Sequence, residues 1–249
     1  MNTLMWFVAL GIFFMTIISG AIPFLRQLRK PCDYDFPVGE ALANGVFLGA
    51  GLIHMLPDSV ESFSSLGIKF PWPFVICGAV FLLFLLSEHV GYFINDGKKN
   101  QSYFIAVSST LMLSVHSFFT GAAIGLTDST SLLMVLFVAV LAHKWAASFS
   151  LSLYINKTAL SFKNRAALFL VFSLMVPLGI VFGGFIHQYC QNNQLIQPIF
   201  SAVAAGTFVY LGTLHGFKKM LTQKECCNLY QYGNVLFGFS LMSVVAAWV

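Results

Sequence analysis

Histidines stand inside apolar runs of this chain, where polar side chains are uncommon. His116 opens the stretch HSFFTGAAIGL, with Ser117 beside it and Thr120 one helical turn later. His143 and Lys144 lie together in a second apolar run. Neutral imidazole nitrogen is a good ligand for borderline divalent ions such as Zn²⁺. The histidines therefore indicate metal-ion chemistry, provided that the fold brings them to a common cavity.

Other ionisable residues accompany these histidines. His54 and Asp58 are spaced i and i+4, so they share one helix face. An ionisable group at the centre of a membrane helix costs about 2.5–3.5 kcal/mol on insertion scales, so it usually faces a cavity or a partner. Ordered by depth, the series reads Asp58, His54, His116, His143 with Lys144, Glu88 with His89, and His215. A single histidine is equally well explained by a hydrogen bond between helices, but the ordered series over five spans favours a cation pathway.

Lys144 has a different role in this interpretation. A protonated amine cannot bind a cation, so the residue is expected to be a fixed charge in place of a second ion, or the partner of an acid. A lysine that extends its amine to the membrane surface is the other explanation, and the predicted depth of Lys144 in its span disfavours it.

The elements that must position these groups are membrane helices. Of the 249 residues, 58% are hydrophobic and 9% are charged, which is too little polar surface for a soluble domain. A span needs about 20 apolar residues, and we predict an all-α polytopic membrane protein with a single transmembrane domain over residues 1–249. Its eight predicted helices cover residues 4–25, 40–60, 72–94, 102–126, 131–154, 166–187, 198–217 and 229–249.

The basic residues predict the orientation. Eleven of the 13 lie on one side of the predicted spans: Arg26, Arg29, Lys30, Lys98, Lys99, Lys157, Lys163, Arg165, Lys218, Lys219 and Lys224. The positive-inside rule makes that side cytoplasmic and places both termini outside the cytoplasm. We expect the plasma membrane or a bacterial inner membrane. No basic cluster with interleaved aromatic residues indicates nucleic-acid binding.

Small residues predict which spans approach closely. Gly121 and Gly125 form a GxxxG step in the fourth span, and such steps allow close helix contact. The fifth span is also rich in small residues: Ala146, Ala147, Ser148, Ser150 and Ser152. The fourth and fifth spans are therefore predicted to touch.

Taken together, these segments resemble the ZIP (Zrt/Irt-like) family of divalent-metal transporters. The matching stretches are GVFLGAGLIHMLPDS (45–59), HSFFTGAAIGL, AHKWAASFSLSL (142–153), FSLMVPLGIVFG (172–183), AGTFVYLGTLHG (205–216) and GFSLMSVVAAWV (238–249), which are similar to helices two, four, five, six, seven and eight of the family. The resemblance implies a 3+2+3 arrangement with inverted repeats. It also implies a metal site between helices four and five.

The resemblance assigns residues to this site. The metal set becomes His116, Ser117, Thr120 and His143. The depth-ordered series of ionisable residues supplies the predicted transport pathway, which comprises His54, Asp58, Glu88, His89, Lys144 and His215. Thr120 stands where the family has a glutamate, and His215 where an acid is frequent. These two departures remove negative charge, so the site should hold divalent ions more weakly and prefer ions that accept nitrogen over Mn²⁺.

The function implied is uptake of Zn²⁺ into the cytosol by alternating access, with Cd²⁺, Fe²⁺, Co²⁺, Ni²⁺ and Cu²⁺ as related ions. No prosthetic group and no enzymatic activity are expected, and the oligomeric state stays open, with a homodimer as one alternative. A metal-binding homologue without transport, as a sensor or structural protein, and a channel are further alternatives. An intramembrane zinc hydrolase is disfavoured, because no two histidines lie within five residues of each other.

Overall fold

Helices make up the part of the chain that the computed structural model describes, residues 3–29, 36–94, 98–158, 160–189, 194–215 and 228–248, and no strand occurs there. The all-α prediction is confirmed for these residues. The helices are α1 (Thr3–Arg29), α2 (Pro37–Ser65), α3 (Trp72–Ile94), α4 (Lys98–Gly125), α5 (Thr130–Asn156), α6 (Phe162–Tyr189), α7 (Ile196–Tyr210, continued by a π-helical turn Leu211–His215) and α8 (Asn228–Trp248).

The outer surface of the helix bundle is apolar. Within the described ranges, the seven helices α1 to α7 are long and apolar enough to cross a membrane. Large apolar side chains point outward along them; Phe7 is 70% exposed, and Phe93 and Phe185 are exposed as well. Such a surface is stable against lipid and not against water. The protein is therefore an integral membrane protein.

The helices pack in close pairs. The most extensive contacts join α4 to α6, α1 to α5, α2 to α8 and α3 to α7, and α4 also packs on α7 as α5 does on α2. This list of contacts is symmetric. If α1 is exchanged with α6, α2 with α7, α3 with α8 and α4 with α5, each contact becomes another contact of the same list. The two halves of the chain thus make equivalent contacts around α4 and α5.

Glycines bring α4 and α6 into backbone contact. Each of four glycines places its Cα against a carbonyl of the opposite helix: Gly121, Gly125, Gly179 and Gly183. A Cβ added at Gly183 would lie 2.1 Å from the carbonyl oxygen of Ala122. The predicted contact between α4 and α5 exists, but the GxxxG step does not make it. A GxxxG step indicates that some helix comes close and does not specify which one.

The small residues of α5 likewise contact a different helix. The Ser152 hydroxyl donates a hydrogen bond to the carbonyl oxygen of Gly20 at 2.7 Å, and Ser148 donates to the carbonyl of Thr16. Both acceptors belong to α1. Another face of α5 carries His143 and Lys144, whose side chains contact residues of α4, α6 and α7.

Two helices contain a π-helical turn, Ala50–Met55 in α2 and Leu211–His215 in α7. Each turn packs against the regular part of the other helix. In α2, Pro57 lies two residues after the turn. A proline lacks the N–H for the preceding turn and its ring crowds the carbonyl four residues earlier, which favours local widening of the helix. Short π-helical turns are frequent at functional sites, and the first of these turns carries His54.

The contact between α4 and α6 gives a first prediction. Gly183→Ala forces a methyl group against a backbone carbonyl, and overpacking of this kind costs about 1–3 kcal/mol. We expect a lower midpoint of thermal unfolding in detergent, measured by size-exclusion chromatography after heating. Gly78→Ala in α3 is the control, since a Cβ there meets nothing within 4 Å. Equal midpoints for the two variants would contradict the packing described.

Candidate metal centre

His116 lies between α4 and α7 and is 1% exposed. Its Nδ1 is 3.1 Å from the carbonyl oxygen of Ala204 and 2.9 Å from the hydroxyl oxygen of Thr207. Its Nε2 is 3.4 Å from the hydroxyl oxygen of Thr120, one turn further along α4. The imidazole is therefore held on one side by α7 and turned towards Thr120 on the other.

His143 faces His116 from α5. The two ring centroids are 5.7 Å apart, and the rings stand at 76° to each other. His143 is 1% exposed, and within the described part of the chain neither of its ring nitrogens has a hydrogen-bond partner in the protein. A buried imidazole without a protein partner is costly unless a ligand satisfies it. The two histidines that the sequence singled out thus lie in one place.

Phe208 fixes the relation between the two imidazoles. Its ring stacks on His116 with centroids 3.5 Å apart and meets the His143 ring edge-on, with centroids 5.1 Å apart. The sequence analysis missed this residue. Phenylalanine occurs 27 times in the chain, so no pattern distinguishes the one that lies between the histidines.

A cavity of about 40 Å³ leads to His143 from one end of the bundle, where α2 and α4 end and α5 and α7 begin. Its polar lining consists of His54, Asp58, Thr120, His143 and Ser201. His54 Nδ1 lies 3.0 Å from a carboxylate oxygen of Asp58, whose side chain is half exposed. The space is large enough for one or two waters or a partly hydrated ion. The predicted mouth at Asp58 therefore borders a common space with His54 and His143, and His116 adjoins this space through Thr120.

The amine of Lys144 contacts Ser117 and Phe172. Its Nζ donates a hydrogen bond to the Ser117 hydroxyl at 2.7 Å and lies 4.0 Å from the centre of the Phe172 ring. Among the residues that the structure describes, no carboxylate forms an ion pair with it. A cation over an aromatic face is stabilised electrostatically, and more so when water is excluded. Within the described residues, the predicted pairing of Lys144 with an acid is not found, and the role of a fixed charge stays a prediction.

The deeper pathway residues do not gather at the histidines. Glu88 on α3 accepts a hydrogen bond from the Tyr210 hydroxyl on α7. His89, the next residue, is exposed on the outside of α3. The side chain of His215 lies outside the described residues. Depth orders residues along the bundle but does not give the direction of a side chain, because neighbouring residues of a helix point in directions about 100° apart.

Aromatic side chains close the bundle beyond the histidines. Phe47 of α2 stacks on Phe208 at 4.9 Å between centroids, and Phe81 packs on the fully buried Tyr210. Further towards that end, Lys157 at the end of α5 forms an ion pair with the buried Glu40 at the start of α2. The cavity at the histidines thus opens towards Asp58 and is packed shut on the opposite side.

The ligand set is incomplete by the usual standard of metal sites. Within the described residues, no group of three or more His, Cys, Asp or Glu side chains lies close enough to hold an ion. The arrangement offers two imidazoles, with the hydroxyl of Thr120 where an acid would have completed the set. A bound ion would need hydroxyl or water oxygens as its remaining ligands.

Known proteins resemble this chain over most of its length. A sequence profile of the family described as ZIP zinc transporters matches residues 3–104 and 94–246. Zinc transporter ZIP1 of Takifugu rubripes is 26% identical over 287 aligned residues, covering 95% of both chains. Zinc transporter ZIP2 of Mus musculus is 28% identical over 256 residues, covering 82% of both. Protein zntD of Dictyostelium discoideum is 34% identical over 142 residues, 56% of this chain but 21% of that protein.

The unequal bonding of the two histidines gives a prediction about stability. His143→Leu removes no hydrogen bond to the protein, so we expect a thermal unfolding midpoint equal to or above that of the parent, measured with a metal chelator present. His116→Leu loses the bonds to α7, each worth on the order of 1 kcal/mol, and should unfold at a lower temperature. A lower midpoint for His143→Leu than for His116→Leu would contradict the bonding described.

Proposed function

Since the chain belongs to the ZIP zinc transporter family, we propose that it carries Zn²⁺ into the cytosol through a site between α4 and α5. Members of this family are transporters, which removes the zinc hydrolase from the alternatives. The observation that carries the proposal is the pair of buried imidazoles, His116 and His143, beside a cavity that reaches Asp58.

The proposed architecture has eight spans in a 3+2+3 arrangement, with α8 as the eighth. The equivalence of the helix contacts under exchange of the two halves supports it, because inverted repeats related by a two-fold axis produce this pattern. The positive-inside rule then places both termini outside the cytoplasm and turns the Asp58 end outward.

The proposed ligands are His116 Nε2, a His143 nitrogen and the Thr120 hydroxyl, completed by water. Lys144 bonds to Ser117 and supplies positive charge on that side, so we assign one ion to the site and not two. Nitrogen ligands without a carboxylate favour Zn²⁺, Cu²⁺, Ni²⁺ and Co²⁺ over Mn²⁺. Fe²⁺ and Cd²⁺ are further substrates under the same proposal.

The proposed path begins at Asp58 and His54 and continues to the two central histidines. From there, release to the other side requires that the packing of Phe47 on Phe208 and the ion pair of Glu40 with Lys157 give way. A site open at one end and closed at the other is what alternating access needs in one of its two states. Saturable flux, as opposed to simple conductance, separates this mechanism from a channel.

A second candidate function has its own observation. Because Thr120 replaces the family acid and the described residues contain no group of three strong ligands, the chain could bind a metal ion without transporting it. Such a homologue would act as a sensor or a structural protein. It predicts Zn²⁺ binding to the purified protein together with absent flux.

Flux into proteoliposomes loaded with a fluorescent chelator tests the proposal. We expect saturable uptake of Zn²⁺ by the parent and a loss of about ten-fold or more in His116→Ala, since a lost ligand weakens binding at least as much as a lost neighbour of a ligand. His187→Ala is the matched control, because His187 pairs with Asp128 at 2.8 Å, away from the lining of the cavity. Full uptake by well-folded His116→Ala protein would refute the site.

Thr120→Glu tests the charge of the site. A carboxylate one turn after His116 adds a hard oxygen ligand, so we expect tighter apparent binding of Zn²⁺ and measurable uptake of Mn²⁺. Thr130→Glu adds the same charge at the exposed start of α5 and should leave both unchanged. If the parent is silent and Thr120→Glu transports, the second candidate function is correct.

A further inference from the structure

No sequence motif assigns a role to Thr207 of α7. We infer that Thr207 is a positioning residue for His116: together with the Ala204 carbonyl it fixes the imidazole in the tautomer that leaves Nε2 free for the metal ion. The inference rests on the proposed function, since it concerns how the same site is prepared for its substrate.

The hydrogen bonds around Nδ1 permit one assignment of protons. The Ala204 carbonyl oxygen accepts only, and it lies 3.1 Å from His116 Nδ1. The Thr207 hydroxyl donates to the same carbonyl at 2.6 Å, which leaves its oxygen to accept from Nδ1 at 2.9 Å. Nδ1 must therefore carry the proton. In a neutral imidazole the lone pair then lies on Nε2.

The free nitrogen points to the proposed ion position. Nε2 faces the Thr120 hydroxyl at 3.4 Å, and Thr120 lines the cavity together with His143. Phe208 stacks flat on the imidazole, with centroids 3.5 Å apart, and blocks a turn of the ring that would exchange the two nitrogens. Residues of α7 thus set both the orientation and the tautomer of the ring: Phe208 stacks on it, and the neighbouring Thr207 supplies an acceptor.

Residues that hydrogen-bond to a metal ligand affect the metal affinity of a site. A ligating histidine usually donates its other N–H to an oxygen acceptor, and loss of that acceptor costs about 10–100-fold in metal affinity or activity. Thr207 belongs to α7, while His116 belongs to α4. The imidazole is therefore oriented by a residue of a neighbouring helix.

The test compares Thr207→Val with Thr207→Ser. Valine has nearly the shape of threonine but no hydroxyl, so we expect the KM for Zn²⁺ uptake to rise by about ten-fold with the maximal rate within about two-fold of the parent. Serine restores the acceptor and should restore KM. Thr16→Val is the control, since Thr16 is equally buried and bonds its own helix through Ile12 at 2.7 Å.

The tautomer is read independently of transport from ¹⁵N-histidine spectra in nanodiscs, with His116 assigned by the signals lost in His116→Gln. The parent and Thr207→Ser should show a protonated Nδ1 and an unprotonated Nε2, and Thr207→Val a mixture. An unchanged tautomer in Thr207→Val, an unchanged KM, or a serine variant as impaired as valine would each overturn the inference. A parent without flux would overturn the proposed function alone, because Zn²⁺ titration of the same spectra still reports binding at Nε2.

Discussion

Polar groups buried within a membrane protein must find their partners inside the protein, because hydrocarbon offers none. At the centre of this bundle, His116 and Lys144 obey that constraint through contacts between helices, whereas neither ring nitrogen of His143 has a hydrogen-bond partner among the described residues. His116 of α4 is satisfied by α7, and Lys144 of α5 by the Ser117 hydroxyl of α4 and the ring of Phe172. His116 therefore requires α7 as its neighbour, and Lys144 requires α4 and α6.

Close packing on other faces makes this arrangement possible. Glycines join α4 to α6 backbone against backbone, and serine hydroxyls join α5 to the carbonyls of α1. Association of helices in lipid depends on such contacts, since burial of apolar surface gives little advantage there. With those faces occupied, α4 meets α5 and α7, and the His143 ring of α5 contacts Phe208 of α7. Helix packing and the proposed ion site thus use different faces of the same two helices.

The sequence predicted the helices and the two central histidines, because both leave local signals: long apolar runs, and polar residues within them. Partners across the bundle leave no such signal. The GxxxG step at Gly121 indicated close approach without naming α6, and Phe208 was hidden among many phenylalanines. Glu88 and His89 lie at a similar depth, but their side chains point in different directions. Glu88 contacts Tyr210, and His89 is exposed on the outside of α3.

The charge of the centre differs from that of a carboxylate site, and this affects how an ion is held. Thr120 provides a hydroxyl where the family has an acid, and Lys144 forms no ion pair among the described residues. Under the proposed function, a divalent cation arriving at His143 gains little Coulomb energy from the centre itself. Selection then comes from nitrogen ligation, which ranks ions by softness and preferred geometry. Under the same proposal, the half-exposed carboxylate of Asp58 attracts cations at the mouth of the cavity, so that attraction and selection take place at two different depths.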